Sequence, residues 1–185
     1  NNASDLIRSR GNRKGANMAI IRCDHPNIID FIGAKENVAN LKNFNISVGI
    51  TDKFLDAVKK REDYEIYDSH SNKVVNKYNA RKIFDMIIST AWKNGEPGLL
   101  FLDNINKKNP TPELGELDTT SSCAEMPLYS YEGCFLGSIN LEKFVKEDKI
   151  DYDRLKIVVI LAVRFLDNSI DAANYKIEKV NEMIK

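Results

Sequence analysis

The sequence predicts an α/β fold, because short apolar or alternating runs recur along the chain between amphipathic helical stretches that carry their own start and stop residues. The FNISVGI run at 44–50 alternates as a half-buried strand does, and the run at 97–106 is apolar through its middle, as in a strand covered on both faces. No internal repeat, low-complexity tract or long linker divides the chain.

Taken in order, the chain opens on a short helix end, ASDLIR, and passes into SRGNRKGAN, where Gly11 and Gly15 permit unusual backbone angles and Arg8, Arg10, Arg13 and Lys14 supply charge. Such a loop suits phosphate groups or base edges, and it equally suits a solvated basic turn. Residues 18–22 form a short strand, and DHPNIIDFIGAK begins a helix with Asp24 as cap and Pro26 in the first turn. Between them Cys23 reads as a structural thiol and His25 as a hydrogen-bonding residue of the helix start. The strand at 44–50 puts Phe44, Ile46, Val48 and Ile50 on one face and Asn45 and Ser47 on the other, toward a barrel interior or toward solvent.

Thr51 caps a helix whose stripe is Phe54, Leu55 and Val58, and 61–78 reads as a peripheral hairpin or loop with His70 exposed. Asn79 opens a strong amphipathic helix with Ile83, Ile87 and Ala91 in register, Trp92 as a core plug and Gly95 as its end. A strand over 97–106, a proline-containing turn over 109–115 and a short helix over 141–145 follow. Asp151 caps the longest pattern, a core helix in which Leu155, Val158, Ala162, Phe165 and Ser169 make one stripe, widened by Val159 and Leu166. The chain closes in a further helix start.

Composition excludes several classes of function. The chain has 185 residues with 43% apolar content, enough for one core in a single unit. Lys plus Arg and Asp plus Glu are 27 each, so no global positive field exists to hold nucleic acid. No apolar run approaches the roughly 20 residues that span a bilayer. Three cysteines without paired spacing, and no secretory signal, point to the reducing cytoplasm. Two distant histidines and no CxxC argue against a zinc site.

The chemistry concentrates in 118–141, DTTSSCAEMPLYSYEGCFLGSINL, which holds two of the three cysteines. If 121–125 is extended, Ser121, Cys123 and Glu125 point to one side, and a hydroxyl, a thiol and a carboxylate share a pocket. A carboxylate beside a thiol opposes the thiolate, whereas a nucleophilic cysteine wants a cation or an imidazole. His25 and His70 are remote in sequence, although folding could bring either one close. A cysteine that donates a hydrogen atom and becomes a thiyl radical needs no thiolate, and it tolerates a glutamate acting as general base on the substrate.

These residues carry a family resemblance. SSCAEMPL followed by YEGCFLGSINL resembles the finger loop and following strand of ribonucleotide reductase large subunits, most closely the adenosylcobalamin-dependent class II type, where the two commonly read NPCGEQPL and YESCNLGSINL. The resemblance runs through RKGANM, DHPNIIDFI, NFNISV, PGLLFLDNIN, NPTPELG and VRFLDNSID, nearly the whole chain.

The resemblance implies part of a ten-stranded α/β barrel with a central finger loop, and it makes 1–185 an internal slice of the catalytic barrel domain of a longer chain. It implies that Cys123 is the transient thiyl radical abstracting the ribose 3′ hydrogen and that Glu125 accepts the 3′-hydroxyl proton. Cys134 becomes one half of the redox pair, its partner lying upstream. Ser121 stands where the family usually has an asparagine bonded to the ribose hydroxyls; it is shorter but still donates and accepts. Arg8, Ser9, Arg10, Gly11 and Arg13 fall on the loop relaying effector identity to the substrate base, with SRG in place of the usual QGG.

The implied cofactor is adenosylcobalamin, with dNTP or ATP as allosteric effectors. The implied partners are a ribonucleotide diphosphate or triphosphate, a thioredoxin-type reductant and a second copy in a homodimer. The implied product is a deoxyribonucleotide for DNA replication. Class I, which draws its radical from a metal-containing partner subunit, is the lesser option. An inactive nucleotide-binding or regulatory module of the same fold is the alternative, and the isolated slice is expected to be inactive.

Overall fold

The computed structural model describes residues 8–9, 13–37 and 41–184, and the chain divides into two compact units, Asn1–Ser130 and Tyr131–Lys185. The first unit begins with a small antiparallel pair, β1 (Arg8–Ser9) and β2 (Arg13–Lys14). It is built on a parallel sheet of β3 (Asn17–Arg22), β4 (Phe44–Ile50) and β7 (Gly98–Phe101), in that spatial order. The helices α1 (Ile28–Gly33), α2 (Asp52–Lys60) and α3 (Ala80–Asn94) and the antiparallel hairpin β5 (Asp63–Tyr67) and β6 (Val74–Asn79) lie between these strands in sequence. Among the described residues the sheet is open, with β3 and β7 at its edges and no closed barrel.

Alternation along the strands decides what each face meets. Cys23, Val48 and Ile50, with Ile21 and Leu99 packed beside them, join Ile28, Ile32, Phe54, Ala57, Val58, Ile83 and Ile87 of the helices in one core. Tyr64 closes it, edge-on to Phe54 at 4.9 Å and donating its hydroxyl to the Cys23 carbonyl at 2.8 Å. Burial pushes the Cys23 thiol up to about 11, in keeping with a structural role.

Several local predictions hold for local reasons. The Thr51 hydroxyl accepts from the Phe54 N–H at 3.2 Å and Asn79 accepts from the Lys82 N–H at 3.3 Å, so both helices start where an oxygen satisfies an otherwise free donor. Gly95 ends α3 with φ of 84°, a left-handed angle that suits a residue without a Cβ.

Other expectations are corrected. Asp24 does not cap α1; it pairs with the Arg22 guanidinium at 3.0 Å through both oxygens, and the helix begins at Ile28 after a turn. Trp92 is 87% exposed instead of plugging the core, because nine residues at about 100° each put it half a revolution from the inward-facing Ile83. The predicted strand at 97–106 stops at Phe101, since β4 ends at its register partner Ile50, and α4 (Leu102–Lys107) takes over.

In the second unit, the Asn140 side chain accepts from Glu142 and caps a 3₁₀ turn, Leu141–Phe144. A small antiparallel pair follows, formed by β10 (Val145–Lys146) and β11 (Lys149–Ile150). Asp151 caps α5 (Tyr152–Ala172) by accepting from the Arg154 N–H at 3.0 Å, and α6 (Glu178–Ile184) follows. The expected core stripe of α5 is half-buried at Leu155, Val158, Ala162 and Ser169, while Phe165 is 72% exposed. Through its middle the helix is apolar beyond that stripe as well, with Ile157, Ile160, Leu161 and Val163 exposed. The expected strand around Cys134 has no regular secondary structure, as no strand among the described residues pairs with it. No described helix is long and apolar enough to cross a membrane.

Candidate functional site

The 118–141 stretch is divided between the two units, and its 118–130 part forms a hairpin of the first. β8 (Thr119–Thr120) and β9 (Pro127–Leu128) pair antiparallel, and 121–126 form the turn between them. Its entry is tied by Asn106, whose amide donates to the Leu102 and Leu117 carbonyls at 3.0 Å and whose oxygen accepts from the Leu117 N–H at 2.8 Å. Its exit is tied by the buried Tyr129, whose hydroxyl meets Asn109 Oδ1 at 2.8 Å and the Thr111 carbonyl at 2.6 Å.

The segment 121–125 is not extended as expected. The Ser121 N–H donates to the Met126 carbonyl at 2.9 Å and the Ala124 N–H to the Ser121 carbonyl at 3.0 Å, with Ala124 at φ of 63°. Local hydrogen bonding thus outweighs strand propensity in a run of small polar residues. Ser121 and Glu125 still meet: Ser121 Oγ donates to Glu125 Oε2 at 2.6 Å and accepts from the Met126 N–H at 3.1 Å. The hydroxyl holds the Glu125 carboxyl below its ordinary value, and the backbone N–H groups of Glu125 and Cys123 add to the effect. Cys123 is a free, exposed thiol near the tip, with Ser122 Oγ 3.9 Å from its sulfur.

The turn lies over the sheet face away from the helical core. The polar face of β4 therefore looks toward the finger turn: Asn45 Nδ2 donates to the Ser122 carbonyl. A cleft of about 330 Å³ is lined there by Met18, Asn45, Ser47, Glu96, Ser122 and Cys123, among others. Neither histidine lines it; His25 accepts from the Asn27 N–H at 3.1 Å, and His70 is exposed. No group of three or more His, Cys, Asp or Glu residues able to hold a metal occurs among the described residues.

Of the sequence-predicted site, the turn brings Ser121 onto Glu125 and the Cys123 backbone N–H toward the same carboxylate, but the three side chains do not share one pocket: Cys123 alone of them lines the cleft. Cys134, free and half-buried, belongs to the second unit. Arg8 and Ser9 pair with Lys14 and Arg13 as a two-residue ladder, and Arg10 and Gly11 lie outside the described residues. Sequence reasoning missed Asn106, Glu96 and Tyr129. The only signal for them was the polar interruption of apolar runs.

A parallel three-stranded α/β sheet, with helices on one face and a cysteine-bearing finger turn over the other, is the class of α/β domain that the described residues build. The family model for the ribonucleotide reductase barrel domain matches residues 1–185, and the chain belongs to that family. It is 44% identical over 184 residues to a vitamin B12-dependent ribonucleoside-diphosphate reductase of Thermoplasma acidophilum, covering 98% of this chain and 24% of that protein. It is 42% identical over 181 residues to the Mycobacterium tuberculosis protein of the same name, covering 97% and 26%. A putative ribonucleoside-diphosphate reductase large subunit of Frog virus 3 is 31% identical over 169 residues, covering 85% and 29%. The chain thus spans about a quarter of the length of these curated relatives.

Proposed function

We propose that the protein containing this chain reduces ribonucleotides to deoxyribonucleotides by thiyl-radical chemistry, with adenosylcobalamin as its radical source. The observation carrying this reading is the 121–126 turn, which opens the Cys123 thiol to a cleft over the sheet and, two residues on, holds the Glu125 carboxylate ionised through Ser121. The relatives at 42–44% identity are named as vitamin B12-dependent reductases, which favours the cobalamin-dependent class over one that needs a radical-generating partner subunit. Cys123 is compatible with radical initiation, since a free sulfur open to a cleft can give up a hydrogen atom without an imidazole beside it. When bound, the cofactor would supply the radical chemistry, and Cys123 would be the residue of this chain that yields a hydrogen atom to it.

Cys123, as thiyl, then abstracts the ribose 3′ hydrogen, and Glu125 accepts the 3′-hydroxyl proton as general base. The 2′-hydroxyl leaves as water. A dithiol containing Cys134 supplies two electrons and two protons and ends as a disulfide, and Cys123 returns its hydrogen to the 3′ carbon. Ser121 keeps the base ionised and aimed. Arg8, Ser9, Arg10, Gly11 and Arg13 are assigned to reading the base in concert with a dNTP or ATP effector, in a cytoplasmic homodimer recycled by a thioredoxin-type reductant.

The test is the full-length protein with adenosylcobalamin, a ribonucleoside diphosphate, an effector and a dithiol. Deoxynucleotide formation with cofactor homolysis is expected. Nucleotide binding without turnover would replace the reading with a non-catalytic module, and turnover without any response to the cofactor would move it to class I.

A further inference from the structure

We propose that Asn45 is a positioning residue for the Cys123 turn, its side-chain amide holding the Ser122 carbonyl and so setting how the neighbouring thiol faces the cleft. This deepens, and rests on, the assignment of Cys123 as the reacting thiol.

The Ser122 carbonyl belongs to the peptide that precedes Cys123, and a peptide unit is planar. Pinning its oxygen therefore also pins the Cys123 N–H, the group that helps to hold the Glu125 carboxylate ionised. One amide from the sheet thus orients both the sulfur and the base. The contact joins positions 77 apart in sequence, so it is a tertiary tie and not a feature of the turn itself.

Asn45 is itself held firmly. It sits between two β4 backbone groups, the Phe44 carbonyl and the Ile46 N–H, at a point before β7 begins to pair, since the first β7 partner is Gly98 opposite Ser47. A half-buried ion pair stands in for the missing strand. Lys35 Nζ donates to the Phe44 carbonyl and lies 2.7 Å from Glu96 Oε1, while Glu96 Oε2 accepts from the Ile46 N–H at 3.2 Å. The backbone on both sides of Asn45 is therefore fastened, and Asn45 and Cys123 line the same cleft.

The test uses the full-length protein with Asn45→Asp, which keeps the shape but turns an acceptor toward the carbonyl, and Asn45→Ala. Amide hydrogen exchange is followed in the peptide spanning 119–128, together with iodoacetamide labelling of Cys123 and steady-state kinetics. Both variants are expected to exchange faster in that peptide, with β3, β4 and β7 protected as in the wild type, and to label Cys123 faster. They should lose about 10- to 100-fold in kcat with KM changed less than about twofold, the cost of misaligning a reacting group.

Wild-type exchange in that peptide, or wild-type kcat in an active protein, overturns the proposal. Loss of protection throughout β3, β4 and β7 also overturns it, by making Asn45 merely structural. If the unmutated protein performs no reduction, the reaction assignment fails, and the exchange and labelling data still decide whether Asn45 positions the turn.

Discussion

Ser121 Oγ stands 2.6 Å from Glu125 Oε2 and donates to it, while accepting the Met126 N–H at 3.1 Å. The hydroxyl closes the turn and polarises the carboxylate in a single arrangement, with both of its own hydrogen-bonding roles used inside the turn.

The consequence for pH follows from the direction of the Glu125 shift. A carboxyl held low by Ser121 remains ionised to lower pH than a free one. Its stabilising bond is fully present above the ordinary carboxylate value and is lost as pH falls through the lowered value of Glu125 itself. Ser121→Ala is expected to let Glu125 titrate higher, moving the acid limb of the kcat/KM profile of the full-length protein to higher pH. Ser121→Thr, which keeps the hydroxyl, should leave that limb in place. An unmoved limb in the alanine variant would remove Ser121 as the group controlling the base.

The two cysteines of the 118–141 stretch are expected to fail differently when replaced. Cys123→Ser should abolish deoxynucleotide formation with every reductant, because the stronger O–H bond of serine blocks hydrogen transfer. Cys134→Ser should spare the initial radical step and stop multiple turnovers, so rapid-quench product would form at no more than about one equivalent. Normal cycling of Cys134→Ser with a thioredoxin-type reductant would exclude it from the redox pair.

The sequence was most legible where structure is set locally. The Thr51 and Asn79 caps, the Gly95 stop and the alternation of β4 each depend on a few adjacent residues, and each lies where its pattern put it. Trp92 was misread because a large apolar residue was assigned to the core without counting its angle round α3. The run at 97–106 was misread because its apolar stretch outlasts β4, the strand it pairs with, and the length of a partner strand is not a local property. In the site, Ser121, Cys123 and Glu125 were picked out from residue type and order, but the contact of Ser121 with Glu125 depends on a turn with Ala124 at positive φ, which alternation does not reveal and which keeps the three side chains out of one pocket. Asn45 was seen only as part of a polar strand face; its target, the Ser122 carbonyl, becomes visible only after the hairpin is laid over the sheet.

The crowding of the inner sheet face yields a graded prediction at two glycines. A Cβ at Gly49 would lie 2.7 Å from Leu102 Cδ1, and one at Gly98 would lie 2.9 Å from Ser47 Oγ. Leu102 is buried at the start of α4, and its carbonyl accepts the Asn106 amide that ties the finger hairpin. Gly49→Ala must displace that leucine and is expected to cost about 1–3 kcal/mol, the usual range for overpacking. Gly98→Ala meets a hydroxyl able to turn aside and should cost less. Apparent Tm values of the two full-length variants check the order, and an equal or reversed ranking would show that Leu102 yields more readily than its burial implies.

The Lys35–Glu96 pair can be tested by a double-mutant cycle. Lys35→Met leaves the half-buried Glu96 carboxylate with the Ile46 N–H but no cation, whereas Glu96→Gln leaves the Lys35 ammonium with the Phe44 carbonyl but no anion. Removing one partner strands the other charge, and removing both does not, so the double variant should be less destabilised than the sum of the singles. A coupling of about 0.5–3 kcal/mol is expected for groups in direct contact. Because the pair occupies ladder positions that β7 starts too late to fill, lost protection should centre on the Ile46 amide while the Val48 region stays protected. Each single variant should also lower kcat in the same sense as the Asn45 variants, since the strand end it loosens carries Asn45. Loosening at Ile46 with unchanged kcat would separate the strand end from the thiol and confine the ion pair to stability.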